Sequence, residues 1–216
     1  MGEDSLVPMT DQASWGDSNT ASQALGPCFL EGQNLRLEPL RQEHGDALFE
    51  AAQRMEWGWF LYPLRTRQDV VMKIGSALES ERNNEGYAFA VRMKKDGRIV
   101  GSTSYLGVEA KHKRVEIGST WYLPEVQGTV VNPECKYLLL KHAFEDWGAV
   151  RVQFTTDANN IHSQNAILKL GAKYEGKLRN HGIRPDGSTR DAMVYSIVPK
   201  EWPEVKAGLL ARIHTA

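Results

Sequence analysis

EIGSTWYLPEVQGTVVNPECKYLLLKHAFEDWGAVRVQFTTDANNIHSQNAILKLGAKYEG, residues 116–176, decides how this chain folds. It reads as strand, glycine turn, helix, strand, helix. The first turn, Gln127-Gly128-Thr129-Val130-Val131-Asn132, runs into a helical pattern over residues 133–147. The second, Asn159-Asn160-Ile161-His162-Ser163, opens a short helix closed by Gly171. A strand feeding a glycine turn and then a helix N-terminus makes an anion site. The first amides of the helix point outward unpaired, and the helix dipole favours negative charge.

Working outward, Asn132 and Pro133 fit the N-cap and first helical position, and Gly148 fits the C-terminal cap. Leu138, Leu139, Leu140, Ala143, Phe144 and Trp147 give that helix a broad apolar face. Upstream, residues 34–40 alternate apolar and polar as a half-buried strand does, and residues 42–54 carry a helical face. Thr66 is placed to cap a helix over 67–82. Residues 87–93 and 98–108 read as strands around Lys94-Lys95-Asp96-Gly97, a hairpin signal, and 114–123 as a third. Downstream, 150–156, 173–183 and 190–198 read as strands and 202–213 as a closing helix. The order βααβββαβαββα predicts an α/β (α+β) fold: a mixed, mostly antiparallel sheet with helices on both faces. Only the unit at 114–156 requires a parallel pairing, through a crossover that is normally right-handed.

A length of 216 residues suits one domain with a sizeable core. Residues 1–28 are rich in Ser, Thr, Asp and Gly and read as a flexible extension, leaving 29–216 as the domain. A formal charge of −1 offers no field for nucleic acid or an anionic membrane. No apolar run approaches the roughly 20 residues that span a bilayer, and the start lacks a secretory pattern. Cys28 and Cys135 are too few for a disulfide framework and read as free thiols. These features together predict a cytoplasmic protein.

Several segments, in this order and spacing, resemble the GCN5-related N-acetyltransferases (GNAT), and within them the RimJ/RimL type. They are Val115–Leu123, Gln127-Gly128-Thr129, Asn132-Pro133-Glu134, residues 138–144, Asn160-x-x-Ser163, Leu170-Gly171-Ala172 with Glu175-Gly176, and residues 184–187 with Arg190-Asp191. The resemblance spans residues 29–213. It implies acetyl-CoA as donor, a primary amine as acceptor, no metal, and a fold whose sheet is opened by a bulged strand. The free edge of that strand, at Trp121, Tyr122 and Leu123, would pair with the pantetheine arm. The pyrophosphate would sit on Gln127, Gly128, Thr129, Val130, Val131 and Asn132. Family members often dimerise, so a homodimer is an expectation too.

One departure stands out. The later glycine of the family's turn is Val130 here, and a β-branched residue at positive φ would be strained. Pro133 also lacks an N–H, and Glu134 puts negative charge near an anion site.

In the chemistry that the resemblance implies, an amine attacks a thioester carbonyl and a thiolate leaves. An α-amine of pKa ~7.7–8.0 is neutral about one time in ten at pH 7, whereas a lysine at ~10.4 almost never is. A weak base then suffices for an α-amine. Glu116, on the strand leading into the bulge, is the candidate base, or else a structural carboxylate paired with Arg98 or Arg114. Ser163 is the candidate acid for the leaving thiolate, or else a first-turn helix residue bonding the backbone. Asn160 either bonds the pantetheine amides or caps the helix. Some relatives carry a glutamate where Gly182 stands. Trp57, Trp59 and Tyr62 form an aromatic cluster that either clamps the acceptor or packs in the core. Arg179, Arg184 and Arg190 either meet an acidic acceptor or form a solvated face. The open alternative to catalysis is an acyl-CoA-binding or interaction module that keeps the fold.

Overall fold

The computed structural model describes residues 25–184 and 186–215. In chain order these form β1 (Leu30–Glu31), β2 (Leu35–Pro39), α1 (Gly45–Ala52), α2 (Arg67–Arg82), β3 (Gly86–Met93) and β4 (Ile99–Glu109). Then follow β5 (Arg114–Tyr122), α3 (Val131–Lys141), β6 (Arg151–Asp157), α4 (Ile161–Leu168), β7 (Lys173–Ile183), β8 (Thr189–Ile197) and α5 (Trp202–His214). The short β1 is the one strand that the sequence pattern does not announce. All the strands join one 8-stranded sheet, in the order β1-β2-β3-β4-β5-β6-β8-β7. Every neighbouring pair is antiparallel except β5 and β6, the pairing that the sequence singles out.

The helices follow local chemistry. Thr66 Oγ1 accepts the Asp69 N–H at 3.1 Å and Asp69 Oδ2 accepts the Thr66 N–H at 2.7 Å, a reciprocal capping box that opens α2. Such a cap contributes about 1 kcal/mol. Helix α3 begins at Val131, earlier than the pattern predicts, and no side chain caps it. Asn132 and Pro133 therefore lie inside the first turn, where the missing proline N–H has no intrahelical partner to lose. The helix ends in a π turn at His142–Asp146, and Gly148 leaves it at φ +75°. Helices α1 and α2 pack together, as do α3 and α5. The core between sheet and helices includes Leu35, Leu37, Phe89, Tyr105, Val152, Phe154, Leu139 and Leu140.

The N-terminal boundary differs from the expectation. Residues 1–24 lie outside the described residues, but Leu25, inside the segment read as flexible, is only 2% exposed. Its carbonyl meets His142 Nε2 at 3.0 Å, and His142 Nδ1 meets Asp146 Oδ2 at 2.8 Å. Cys28 Sγ lies 3.5 Å from the same Nε2. A buried leucine and a ring clamped from both sides hold residues 25–28 to the end of α3, which an isolated polar stretch does not announce.

Candidate active site

Two irregularities in β5 make the site. Strand β5 pairs with β6 only from Arg114↔Arg151 to Glu116↔Gln153. Beyond that, β5 stays with β4 and β6 stays with β8, so the sheet opens into a wedge. Facing β4, Trp121 pairs with Ser102 but Gly118 pairs with Ser104, so Ser119 and Thr120 share the place opposite Thr103. This bulge puts Ser119 at φ +48°, at a cost of roughly 1–2 kcal/mol for a residue other than glycine. Thr120 Oγ1 is held from two sides, by Thr103 Oγ1 at 2.8 Å and by Lys136 Nζ at 2.8 Å.

Past the bulge, the Leu123 N–H donates to Val100 O, so that residue faces β4. Alternation along the strand turns Tyr122 towards the open edge. Its carbonyl accepts Gln127 Nε2 at 2.9 Å. Of the three edge residues expected to meet pantetheine, Tyr122 presents its N–H there. The side chains of Trp121, Tyr122 and Leu123 are all buried, so this edge offers a ligand only its backbone.

The turn after β5 is built for a close approach. Gly128 has φ +75°, and no atom lies within 4 Å of where a Cβ would stand. Thr129 Oγ1 donates to Val126 O at 2.7 Å and accepts the Val131 N–H at 3.4 Å, fixing the entry into α3. Val130 overturns the expectation of strain: it sits at φ −62°, ψ −19°, ordinary helical backbone that a β-branched residue adopts freely. Positive φ is needed only at Gly128. Glu134 does not face the turn either. Its buried carboxylate accepts the Asn34 N–H at 2.8 Å and Asn34 Nδ2 at 2.9 Å, tying α3 to the β1–β2 hairpin. An uncapped helix start, an open glycine cradle and a Glu134 carboxylate turned to Asn34 fit a pyrophosphate.

Glu116 stands where the wedge begins. Its Oε2 accepts both Gln153 Nε2 and Thr155 Oγ1 at 3.0 Å. The ion pairs expected for it do not form: Arg98 binds Asp96 and Arg114 binds Glu109. Its other oxygen, Oε1, would lie 3.3 Å from a Cβ on Gly118, at the mouth of the bulge. Strand β6 then runs to Asp157 and turns into α4. There Asn160 Oδ1 caps the helix by accepting the Ser163 N–H at 3.0 Å, which leaves the Asn160 Nδ2 amide and the Ser163 hydroxyl for other partners.

On the acceptor side, the aromatic cluster divides. Trp57 is 8% exposed, donates its indole N–H to Ala52 O at 3.1 Å, and meets Trp121 edge-on at 5.4 Å. It braces the bulged strand. Trp59 at 50% and Tyr62 at 83% are exposed. Between them Leu61 reaches β7, 3.7 Å from where Gly182 would carry a Cβ. Arg184 forks onto the buried Asp157 at 2.8 Å, with Arg190 Nε 3.4 Å from the same oxygen, so Arg184 holds the hairpin to β6.

The domain family described as Acetyltransferase (GNAT) domain matches residues 34–173. This chain belongs to the GNAT acetyltransferases. Over 179 residues the acetyltransferase is 25% identical to the uncharacterized N-acetyltransferase YoaA of Bacillus subtilis (strain 168), covering 80% of this chain and 98% of that protein. A solved structure from T. thermophilus, described as an acetyltransferase, is 35% identical with TM-score 0.75, covering 87% of this chain and 98% of that one. Mycobacterium smegmatis RimJ in complex with CoA-disulfide shares the fold, at TM-score 0.75 and 19% identity over 87% of this chain and 95% of that one. The enzyme is an acetyl-CoA-dependent N-acetyltransferase. Among the described residues no His, Cys, Asp and Glu cluster suits a metal ion, and no helix is long and apolar enough to cross a membrane.

Three features of the acetyltransferase escape a reading of its motifs. Gln153 and Thr155 hold Glu116, the bulge that the resemblance implies falls at Ser119 and Thr120, and Lys136 lies buried behind it. Only Lys136 left a signal: it stands at helical spacing from Leu139 and Leu140, a charge on an otherwise apolar face.

Proposed function

We propose that this acetyltransferase passes the acetyl group of acetyl-CoA directly to a primary amine, either a protein N-terminal α-amine or a small-molecule amine, within a ternary complex. The observation that carries this reading is Glu116, oriented through Oε2 by Gln153 and Thr155 while Oε1 faces the mouth of the bulge. A carboxylate fixed on one oxygen and free on the other can take a proton from an amine that approaches the wedge. Bound acetyl-CoA supplies an activated acyl group and a thiolate leaving group. The open edge at Tyr122 and the turn at Gly128 would hold and orient it, Asn160 would donate to its amide carbonyls, and the Ser163 hydroxyl would stabilise the departing thiolate by donating a hydrogen bond to it.

Direct transfer is favoured over an acyl-enzyme by the cysteines. Burial pushes Cys28 up to about 11 and Cys135 up to about 12, so both stay protonated at neutral pH and neither is an activated nucleophile. The reading of a binding module without catalysis drew on Val130 and on the missing glutamate at Gly182, and ordinary helical backbone at Val130 removes the first of these motives.

The test starts with calorimetry. Acetyl-CoA should bind in the micromolar range, with CoA close behind and ATP far weaker. Initial rates are then measured with peptides of varied N-terminal residue and with polyamines and aminoglycosides. Intersecting double-reciprocal lines support direct transfer. Parallel lines, or acetyl-CoA binding without transfer to any amine, would overturn it.

A further inference from the structure

Lys136 is a physical anomaly. Its side chain lies on the sheet side of α3, and the residue is 6% exposed. A buried ammonium normally has an anionic partner, because desolvation of a bare charge is costly. Among the described residues no carboxylate comes within ion-pair distance of its ammonium, and the groups on α3, β4 and β5 around its bond to Thr120 are neutral or turned away. From α3 these are the Cys135 thiol, held protonated by burial, and Glu134, whose carboxylate is spent on Asn34. From β4 they are Thr103 and Tyr105, whose hydroxyl donates to Leu139 O at 2.5 Å. From β5 they are Thr120 and Tyr122, whose hydroxyl is buried and stays protonated. The bond of Nζ to Thr120 Oγ1, at 2.8 Å, thus joins the ammonium to the bulge that opens the sheet.

We propose that Lys136 is a cofactor-positioning residue: its ammonium holds the β5 bulge through Thr120, and anionic acetyl-CoA lying in the wedge supplies the negative charge that this site lacks. The proposal rests on the cofactor reading of the wedge and the Gly128 turn. Lys136 stands in the second turn of α3, whose uncapped start is where the pyrophosphate would sit, and helical side chains lean towards the N-terminus. Cofactor and proton then bind to the same protein with mutual reinforcement. Without the cofactor, burial brings Lys136 down to about 8. A nearby pyrophosphate raises its affinity for the proton.

The deciding experiment is acetyl-CoA titration by calorimetry at pH 8.5, in two buffers of different ionisation enthalpy. Acetyl-CoA has no free thiol, and its phosphates, with a second pKa of about 6, do not titrate there. The wild-type enzyme should take up a fraction of a proton on binding, and its affinity should fall about tenfold between pH 7 and 9.5. In Lys136→Met the uptake should vanish and the affinity should be weak and flat with pH. Lys136→Arg, which keeps its charge, should hold its affinity at pH 9.5. Thr120→Val should raise the acetyl-CoA KM yet keep the proton uptake. Wild-type binding without proton uptake would overturn the role of Lys136 alone, and that result needs no variant to fold. An unchanged pH slope in folded Lys136→Met would overturn it equally. No binding at any pH would bring down the cofactor reading and this proposal with it.

Discussion

At the scale of single residues, the wedge is governed by two charges in contrasting settings. Glu116 is half-exposed and bonded through one oxygen, so replacing it should affect chemistry more than binding. Glu116→Gln should lower kcat about 10- to 100-fold and leave the acetyl-CoA KM within about twofold, as steady-state kinetics on an amine acceptor would read. A comparable rise in KM with kcat intact would make the carboxylate structural. Lys136 affects stability through its proton. Its pKa falls from an ordinary 10.5 in the unfolded chain to about 8 in the fold, so between these values the unfolded chain binds more protons. Stability from this group therefore rises with pH across that window. The raised thiols act oppositely above about 9, so the variant must be compared with the wild type. Lys136→Met should be more stable than wild type near pH 7.5, and that advantage should shrink by about 2 kcal/mol by pH 9.5 in urea unfolding.

At the scale of elements, the unit from β5 to α4 is where the proposed binding chemistry lies, and the sequence announces most of that unit. Alternation, capping residues and the Gln127-Gly128 turn place every strand but the short β1, and every helix to within a few residues. Long-range geometry stays hidden. The Ser119 bulge is a register shift against β4, visible only when two strands lie side by side. That Trp57 packs against the bulged strand, its indole bonded to Ala52, is likewise invisible in a run of aromatics. Val130 looks like a defect only on the assumption that each glycine of a motif needs positive φ. The structure confines that need to Gly128, and the two positions should respond oppositely. Gly128→Val places a β-branched residue at φ +75° and fills the open cradle, so it should raise the acetyl-CoA KM at least about tenfold. Val130→Gly, on helical backbone at φ −62°, should leave KM within about twofold and cost at most about 1 kcal/mol of stability. Equal effects at both positions would mean that the turn is not where the phosphates sit.

At the scale of the whole molecule, the chain closes on itself through contacts distant in sequence. Asn34 binds Glu134 and thereby fixes the first hairpin to α3. Leu25 and His142 do the same for the segment preceding β1. A polar stretch with only scattered apolar residues gives no periodic signal, so sequence alone sets the start of the packed domain too late. Leu25 lies in the same core cluster as Tyr105, Leu139 and Leu140. Removing its side chain empties space among close-packed groups, which typically costs 2–5 kcal/mol for a leucine, about 3 kcal/mol being the central expectation. The cleft chemistry draws on β5, β6 and α4, none of which needs Leu25 for its bonds. Leu25→Ala should therefore lower the urea midpoint clearly while leaving kcat and the acetyl-CoA KM within about twofold below the transition. A variant of wild-type stability would show that residues 25–28 lie on the domain without contributing to its core. A folded variant with a raised acetyl-CoA KM would show instead that this segment, through His142 and the end of α3, helps to set the helix at whose start we propose the phosphates bind.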